Sequence, residues 1–415
     1  MTIETMRRDL AGAVEAMRPQ LLALSHQIHA EPELALEEVK AAAALTGAVA
    51  GDGIEVGRGA FGLETAYAAE FGRTGGATIA ILSEYDALPG VGHACGHNII
   101  ATAGLGAALA LAKLGARLPG KVRYLGTPAE ERFGGKELMA RAGAFEGVDA
   151  AMMMHPATEN LVSMPSLAVT EVDAIYHGRA AHASVEPHRG LNALDAVVTA
   201  YQAIAQLRQH IRDSDRIHGI ITEGGLAANI VPERAACRFY VRSPKGEGLG
   251  KLCARVQACL EAGATASGCR LEALWGETYY LDLKTNGPMA KVFEAHGAAL
   301  GRVFERPEDQ PPGRAGSTDM GNVSHRVPSI HPILAVAPRS VPIHNAEFTR
   351  WAASDKGDDA VIDGAKALAL TALDLMADAE LMARAKADFA ATAEDSHKAL
   401  AAMPEPHAHA GCGCA

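Results

Sequence analysis

No run of apolar residues in this 415-residue chain is long enough to span a bilayer. Its first ten residues, Met1 to Leu10, are charged and carry no apolar leader core. A membrane is therefore not expected as a partner, and the cytoplasm is the expected compartment. Positive charge is not in excess: 38 Lys and Arg stand against 49 Asp and Glu, a formal net charge of −11. That balance argues against a nucleic acid or an anionic surface as ligand. Cysteine is sparse, with seven residues scattered along the chain, so reduced thiols are expected rather than a disulfide framework. There is no internal repeat and no low-complexity block. Two hydrolase signatures are also missing, the His-Glu-x-x-His helix and the Gly-x-Ser-x-Gly elbow. Gly90-Val91-Gly92 has no third glycine at dinucleotide spacing, which leaves no Rossmann fingerprint.

What is present is a globular composition, 48% hydrophobic and 21% charged, in a chain long enough for two domains. One stretch, Ser83 to Ile100, concentrates the chemistry: Ser-Glu-Tyr-Asp-Ala-Leu-Pro-Gly-Val-Gly-His-Ala-Cys-Gly-His-Asn-Ile-Ile. Thr78 to Leu82 before it is apolar and β-branched and predicts a buried strand. Asn98 to Leu114 after it predicts a helix. Asp86, His93, Cys95 and His97 therefore fall in a strand-to-helix loop, where open α/β sheets place their ligands. A thiolate and an imidazole two residues apart suit a borderline-soft cation such as Zn²⁺. A buried cysteine beside loop histidines is the bland alternative.

Three further polar groups follow predicted strands. Lys121 to Thr127 ends in Pro128-Ala129-Glu130-Glu131, and Gly134-Gly135 then allows a sharp turn. Adjacent carboxylates can divide labour, one binding metal and the other serving as base. Asp149 to Met154 ends in His155-Pro156, and Ser329 to Ala337 is followed by Val341-Pro342-Ile343-His344-Asn345. If these strands share a sheet, their ends converge on one crevice. Cys95, His97, Glu131, His155 and His344 then form one cluster. Five donors exceed one tetrahedral zinc and suit two metals. Glu130 would take a proton from water and deliver it to a leaving amine.

Glu4 to Ala30 predicts one amphipathic helix and Asp358 to Thr392 another. Residues 167–282 behave as a separate insert, with a β-α-β-β-α-β order of ferredoxin-like type. Cys237, Cys253, Cys259 and Cys269 fall there on core faces or element ends and read as structural. The expected division is a catalytic domain over 1–166 and 283–392, the insert over 167–282, and a flexible tail over 393–415. His407, His409, Cys412 and Cys414 in that tail are either a metal scavenger or an incidental feature of a loose end. Gly316-Ser317-Thr318-Asp319 either lines a site or caps a helix.

Asp86-Ala-Leu-Pro89, His93-Ala-Cys-Gly-His97, Pro128-Ala-Glu-Glu131, Gly178-Arg-Ala-Ala-His-Ala183, Asn192-Ala-Leu-Asp-Ala196 and the late His344 resemble one known family. It is the aminoacylase and carboxypeptidase family of dinuclear metallohydrolases, metallopeptidase family twenty. The similarity leans toward the branch of indole-acetyl-amino-acid, hippurate and aminobenzoyl-glutamate hydrolases and β-alanyl-lysine-type dipeptidases. It implies an α/β fold, a mixed-sheet, helix-flanked catalytic domain with an inserted ferredoxin-like lid and dimerisation domain. It implies two divalent cations per chain, Zn²⁺ first, with Mn²⁺, Co²⁺ and Ni²⁺ open. Matched by position, Cys95, His97, Glu131, His155 and His344 are the metal ligands and Glu130 the general base. Asp86 orients the site. His182 reaches the substrate, often from a partner subunit, and Asn229, Arg242 and Gly316 are weaker matches to substrate-binding residues. Glu84 departs from the wider family, where a metal-binding His stands two residues before the Asp. The implied activity is amide hydrolysis of N-acyl amino acids, aroyl-glutamates or unusual dipeptides by a homodimer or tetramer. Two rivals remain open: a cysteine hydrolase using Cys95 with His97 or His93, and a non-catalytic metal-binding protein on the same fold.

Overall fold

Thr78–Ser83, with Ile79, Ala80, Ile81 and Leu82 fully buried, lies inside a six-stranded mixed sheet. The computed structural model describes residues 2–306 and 315–403. These residues form two units, one built from the chain up to residue 166 with 283–394, the other from 167–282 with the described residues beyond 394.

The sheet of the first unit uses β1 (Val56–Arg58), β2 (Tyr67–Gly72), β3 (Thr78–Ser83), β4 (Lys121–Gly126), β5 (Ala150–Met152) and β11 (Ser329–Ile330). Their order is β1-β2-β4-β3-β5-β11. Strands β4, β3, β5 and β11 run parallel to one another, and β1 and β2 are antiparallel. Parallel strands are covered on both faces, which is why β3 and β5 read as unbroken apolar runs. A parallel pair, β6 (His155–Ala157) with β12 (Ile333–Ala335), follows β5 and β11.

Helices α1 (Ile3–Ala16), α2 (Arg18–Ala30), α3 (Val39–Gly51), α4 (His97–Ala112) and α5 (Gly135–Arg141) belong to this unit. Every residue of α4 from His97 to Leu111 is buried. A helix apolar all round must sit inside its domain, and α4 packs against α2, β3 and the helix Asp355–Ala377. Its small residues permit that approach: a Cβ on Gly106 would come within 2.8 Å of Leu21 Cδ1.

Three sequence-predicted elements are divided. The first helix breaks at Met17, because Pro19 starts a new one in its first turn. The last long helix breaks at Asp378, whose side chain accepts the amides of Glu380 and Leu381 and caps Ala379–Ala390. The strand predicted over Ser329 to Ala337 is cut at His331-Pro332 into β11 and β12.

The second unit contains β7 (Ala168–His177), α6 (Ala193–Leu207), β8 (Arg216–Glu223), β9 (Arg234–Ser243), α7 (Gly246–Ser267) and β10 (Arg270–Trp275). The strand order is β10-β7-β9-β8, and every neighbouring pair is antiparallel. That is the ferredoxin-like arrangement. On β9, Ala235, Cys237, Phe239 and Val241 are buried, while Arg238 and Tyr240 between them are exposed. Val197 and Ile204 of α6 and Val256 and Leu260 of α7 complete that core. Cys237, Cys253, Cys259 and Cys269 are free thiols. Ala393–Ala401 is a helix, not the start of a loose tail, with Ser396 and Ala399 buried and Met403 against this core. Its small buried side chains gave little periodic signal. His407, His409, Cys412 and Cys414 lie outside the described residues.

Candidate active site and metal centre

Four parallel strands end side by side, and each delivers polar side chains just past its carboxyl end. After β3 come Glu84 and Asp86, after β4 Glu130 and Glu131, after β5 His155, and after β11 His331. His97 opens α4, and Cys95 sits two residues before it. The turn between them needs Gly96, which has φ +81 and whose Cβ would lie 2.5 Å from Pro156 Cγ. His344 reaches in from a loop, its amide bonded to the Ala94 carbonyl at 2.8 Å.

Cys95 Sγ lies 3.3 Å from His155 Nε2. The other ring nitrogen of His155 donates to the Pro156 carbonyl at 2.7 Å, so Nε2 carries the free lone pair. His97 Nδ1 donates to Asp86 Oδ1 at 3.1 Å. That leaves His97 Nε2 facing Glu84 Oε1 at 3.4 Å, Glu131 Oε1 at 3.8 Å and Glu130 Oε2 at 3.9 Å. His344 Nε2 is 3.5 Å from Glu131 Oε1. The donor atoms fall into overlapping groups with all separations within 4.8 Å: Cys95, His97 and His155; Cys95, Glu131 and His344; Glu84, His97 and Glu130. Among the described residues, His97 Nε2, Glu131 Oε1 and Glu84 Oε1 are buried without a hydrogen-bond partner. Buried polar atoms are normally paired. An imidazole nitrogen and carboxylate oxygens left unpaired beside the Cys95 sulfur fit divalent metal ions. Two of the groups share Cys95, which suits two cations rather than one.

Burial sets the titration of these residues. It pushes His155 down to about 4, keeping the ring neutral and able to ligate. The Cys95 thiol is pushed well up, by burial first and by the charge of Glu131. Glu130 is also pushed well up, by burial and then by Glu84, Glu131 and Asp319.

Sequence reasoning missed part of the surroundings. Lys136 is fully buried on α5, and its ammonium is paired with Glu84 and with Asp319 Oδ1 at 2.7 Å. Its amide also donates to Asp319 Oδ2 at 2.9 Å. Glu84 is thus an ion-pair partner of a buried lysine through Oε2, with Oε1 turned toward His97. Asp319 belongs to the Gly-Ser-Thr-Asp stretch noted above, but nothing in the sequence tied it to Lys136. His331 is fully buried 5.6 Å from the His155 ring, and burial pushes it down to about 3.

Comparison with known proteins decides the family. Residues 80–374 match peptidase family M20/M25/M40. The chain is 38% identical over 400 residues to the Xaa-Arg dipeptidase of Mus musculus, across 93% of each chain. The chain belongs to peptidase family M20/M25/M40. It is a hydrolytic enzyme of amide bonds. A p-aminobenzoyl-glutamate hydrolase chain of Escherichia coli K12 is 34% identical over 295 residues, 65% of this chain and 61% of that one. A solved dinuclear metal binding peptidase of the M20 family from Bacillus subtilis has the same fold, with TM-score 0.66 and 22% identity over 88% of this chain and 99% of that one.

In this M20-family peptidase the second unit brings two of the proposed substrate residues together. His182 bridges Ile230, and the Ala183 amide donates to the Asn229 carbonyl at 3.0 Å. Asn229 and His182 are both exposed. The Ser184 amide and hydroxyl approach His182 Nδ1 at 3.4 and 3.3 Å, leaving Nε2 to carry the proton. Arg242 is not brought to them. The His182 loop leaves the sheet where His177 pairs Arg234, whereas Arg242 pairs Val169 at the other end of β9. Gly316, in the first unit, is exposed and pairs with Ser166.

Proposed function

We propose that this peptidase is a two-metal dipeptidase or aminoacylase. Its substrate would be a dipeptide, N-acyl amino acid or aroyl-glutamate with a free α-carboxylate on the amine side. The observation that carries this is the convergence of Cys95, His97, Glu131, His155 and His344 on one point with Glu130 beside them. The relatives, an Xaa-Arg dipeptidase and a p-aminobenzoyl-glutamate hydrolase chain, support the same substrate class.

Two divalent cations held by those five residues would acidify a water and polarise the amide carbonyl. Zn²⁺ is the first choice, because Cys95 offers a thiolate. Glu130 accepts the proton from the attacking water and returns it to the departing amine. Its high proton affinity, set by burial and three neighbouring carboxylates, suits that transfer. Asp86 fixes the His97 tautomer. The neutral His155 ring presents Nε2 as a ligand. His182, with its proton on Nε2, donates to the oxygen on which charge develops, and Asn229 beside it holds the substrate. The inserted unit acts as a lid and as the contact of a homodimer. Its edge strand β8 supports that contact, with Ile220 and Ile221 exposed at 64% and 45%. The cytoplasm remains the proposed compartment, and no helix of the described residues is long and apolar enough to cross a membrane.

The test pairs metal content with hydrolysis of a panel: Xaa-Arg and β-alanyl dipeptides, aminobenzoyl-glutamate, and acetyl-, benzoyl- and indole-acetyl-amino acids. Wild type should hold about two metals per chain. Glu130→Ala should keep them and lose at least about a hundredfold in kcat. An active Glu130→Ala variant, or a metal-free active enzyme, would overturn the proposal.

A further inference from the structure

Ala129 has φ +63 and no exposure at all. A residue with a side chain enters that region only where its surroundings hold it there. Here both sides of the residue are held. The carbonyl of Ala129 accepts the amides of Phe133, Gly134 and Gly135 at 3.2, 2.9 and 3.3 Å. Its amide donates to Glu38 Oε1 at 2.8 Å. Glu38 comes from a segment 91 residues away, just before α3, and is itself fully buried. Its second oxygen accepts the Thr65 hydroxyl at 2.8 Å. The Thr65 carbonyl in turn accepts Tyr85 Oη at 2.6 Å, and Tyr85 stands between Glu84 and Asp86. One buried carboxylate therefore ties the backbone before Glu130 to the segment after β3.

Glu38 is in none of the metal-binding groups, and the chemistry above makes no use of it. A carboxyl group, charged or neutral, is costly to bury unless it is hydrogen-bonded, and a packing role alone would be filled by an apolar residue. What it touches is the peptide that aims the next two side chains. From Ala129 onward, both carboxylates face His97 Nε2, Glu130 Oε2 at 3.9 Å and Glu131 Oε1 at 3.8 Å, but Glu131 also lies 3.5 Å from His344 Nε2 and has its amide pinned to Asp86 Oδ2 at 2.8 Å.

We propose that Glu38 is a positioning residue for the reaction: it holds the left-handed peptide at Ala129, so that Glu130 stands as base while Glu131 faces the ligands. This rests on Glu130 being the general base. Glu38 acts through the backbone, by an oxygen that accepts the Ala129 amide. A glutamine in its place keeps such an oxygen and an alanine does not. Glycine at position 129 reaches the same φ without being held.

The experiment compares metal-loaded Glu38→Ala, Glu38→Gln, the double variant Glu38→Ala/Ala129→Gly, and Glu130→Ala. It reads kcat and KM separately, with metal per chain. Glu38→Ala should lose about tenfold to a hundredfold in kcat with KM within about twofold, the effect of a misplaced catalytic group. Its metal content should stay at the wild-type level. Glu38→Gln should stay within about threefold of wild type, because the acceptor is preserved. The double variant should recover at least about fivefold over Glu38→Ala, since glycine supplies the conformation. If Glu38→Ala is recovered only unfolded, a folded and active double variant supports the proposal and an inactive one overturns it. Wild-type kcat in Glu38→Ala, or a loss that neither glutamine nor Ala129→Gly relieves, also overturns it. Glu130→Ala separates the two levels: active Glu38→Ala beside dead Glu130→Ala removes this inference alone, whereas active Glu130→Ala removes the general-base assignment.

Discussion

His97 and Glu131 are bound to the same carboxylate. Asp86 accepts the His97 imidazole through Oδ1 at 3.1 Å and the Glu131 amide through Oδ2 at 2.8 Å. One buried side chain thus sets the ring orientation of one candidate ligand and the backbone of another, a common outer-shell arrangement at metal sites.

Replacing Asp86 by Asn puts an amide donor against either the His97 N–H or the Glu131 N–H. Metal affinity should fall about tenfold to a hundredfold. Competition with a graded chelator measures it, and unchanged affinity would show that Asp86 does not orient the ligands.

Cys95 can be assigned as ligand or nucleophile by a change that keeps only the first ability. A carboxylate also ligates zinc, so Cys95→Asp should retain metal and part of the activity, while Cys95→Ala should lose metal. No acyl adduct on Cys95 should be trapped in wild type by rapid-quench mass spectrometry. An adduct, with full metal and no turnover in Cys95→Asp, would establish the nucleophile instead.

Lys136→Met removes the one cation shared by Glu84 and Asp319. Those carboxylates would face each other uncompensated in the interior. Urea denaturation should show a loss of about 3–5 kcal/mol, as for other broken buried pairs. Adding Glu84→Gln and Asp319→Asn should return part of it. A neutral Lys136→Met would mean that water reaches this triad.

Glu38 predicts a pH effect of definite sign. Burial, with Asp86 nearby, raises its carboxyl to about 7. The neutral form is therefore the better buried one. Its stabilising contribution is complete below the unfolded value near 4.5 and is lost as pH rises through about 7. Glu38→Gln stays neutral throughout. Its stability relative to wild type should rise by about 2–3 kcal/mol between about pH 5 and about pH 8. A flat difference across that range would show that Glu38 is not held neutral.

Much of this was legible along the chain because the chemistry follows the strands. Glu84, Glu130 and His155 each come soon after a short apolar run, and parallel strands with helical crossovers bring such ends together. The insert was legible for the same reason, since alternation in β9 and the stripe of α6 report a buried face. Breaks at Met17, Asp378 and His331 were less visible, because an apolar pattern can run through a cap or a proline that ends the hydrogen-bond ladder.

The sequence by itself determined which residue types could hold metal, on which loops they lie, and the β-α-β-β-α-β order of the insert. Only the tertiary structure decided which of them meet. It set the left-handed peptide at Ala129, joined Glu38 to it across 91 residues, buried Lys136 between Glu84 and Asp319, and placed Arg242 at the end of β9 away from His182 and Asn229. Local pattern reports the face a residue turns to the core, whereas hydrogen bonds and ion pairs between distant segments depend on register and packing that no single stretch contains.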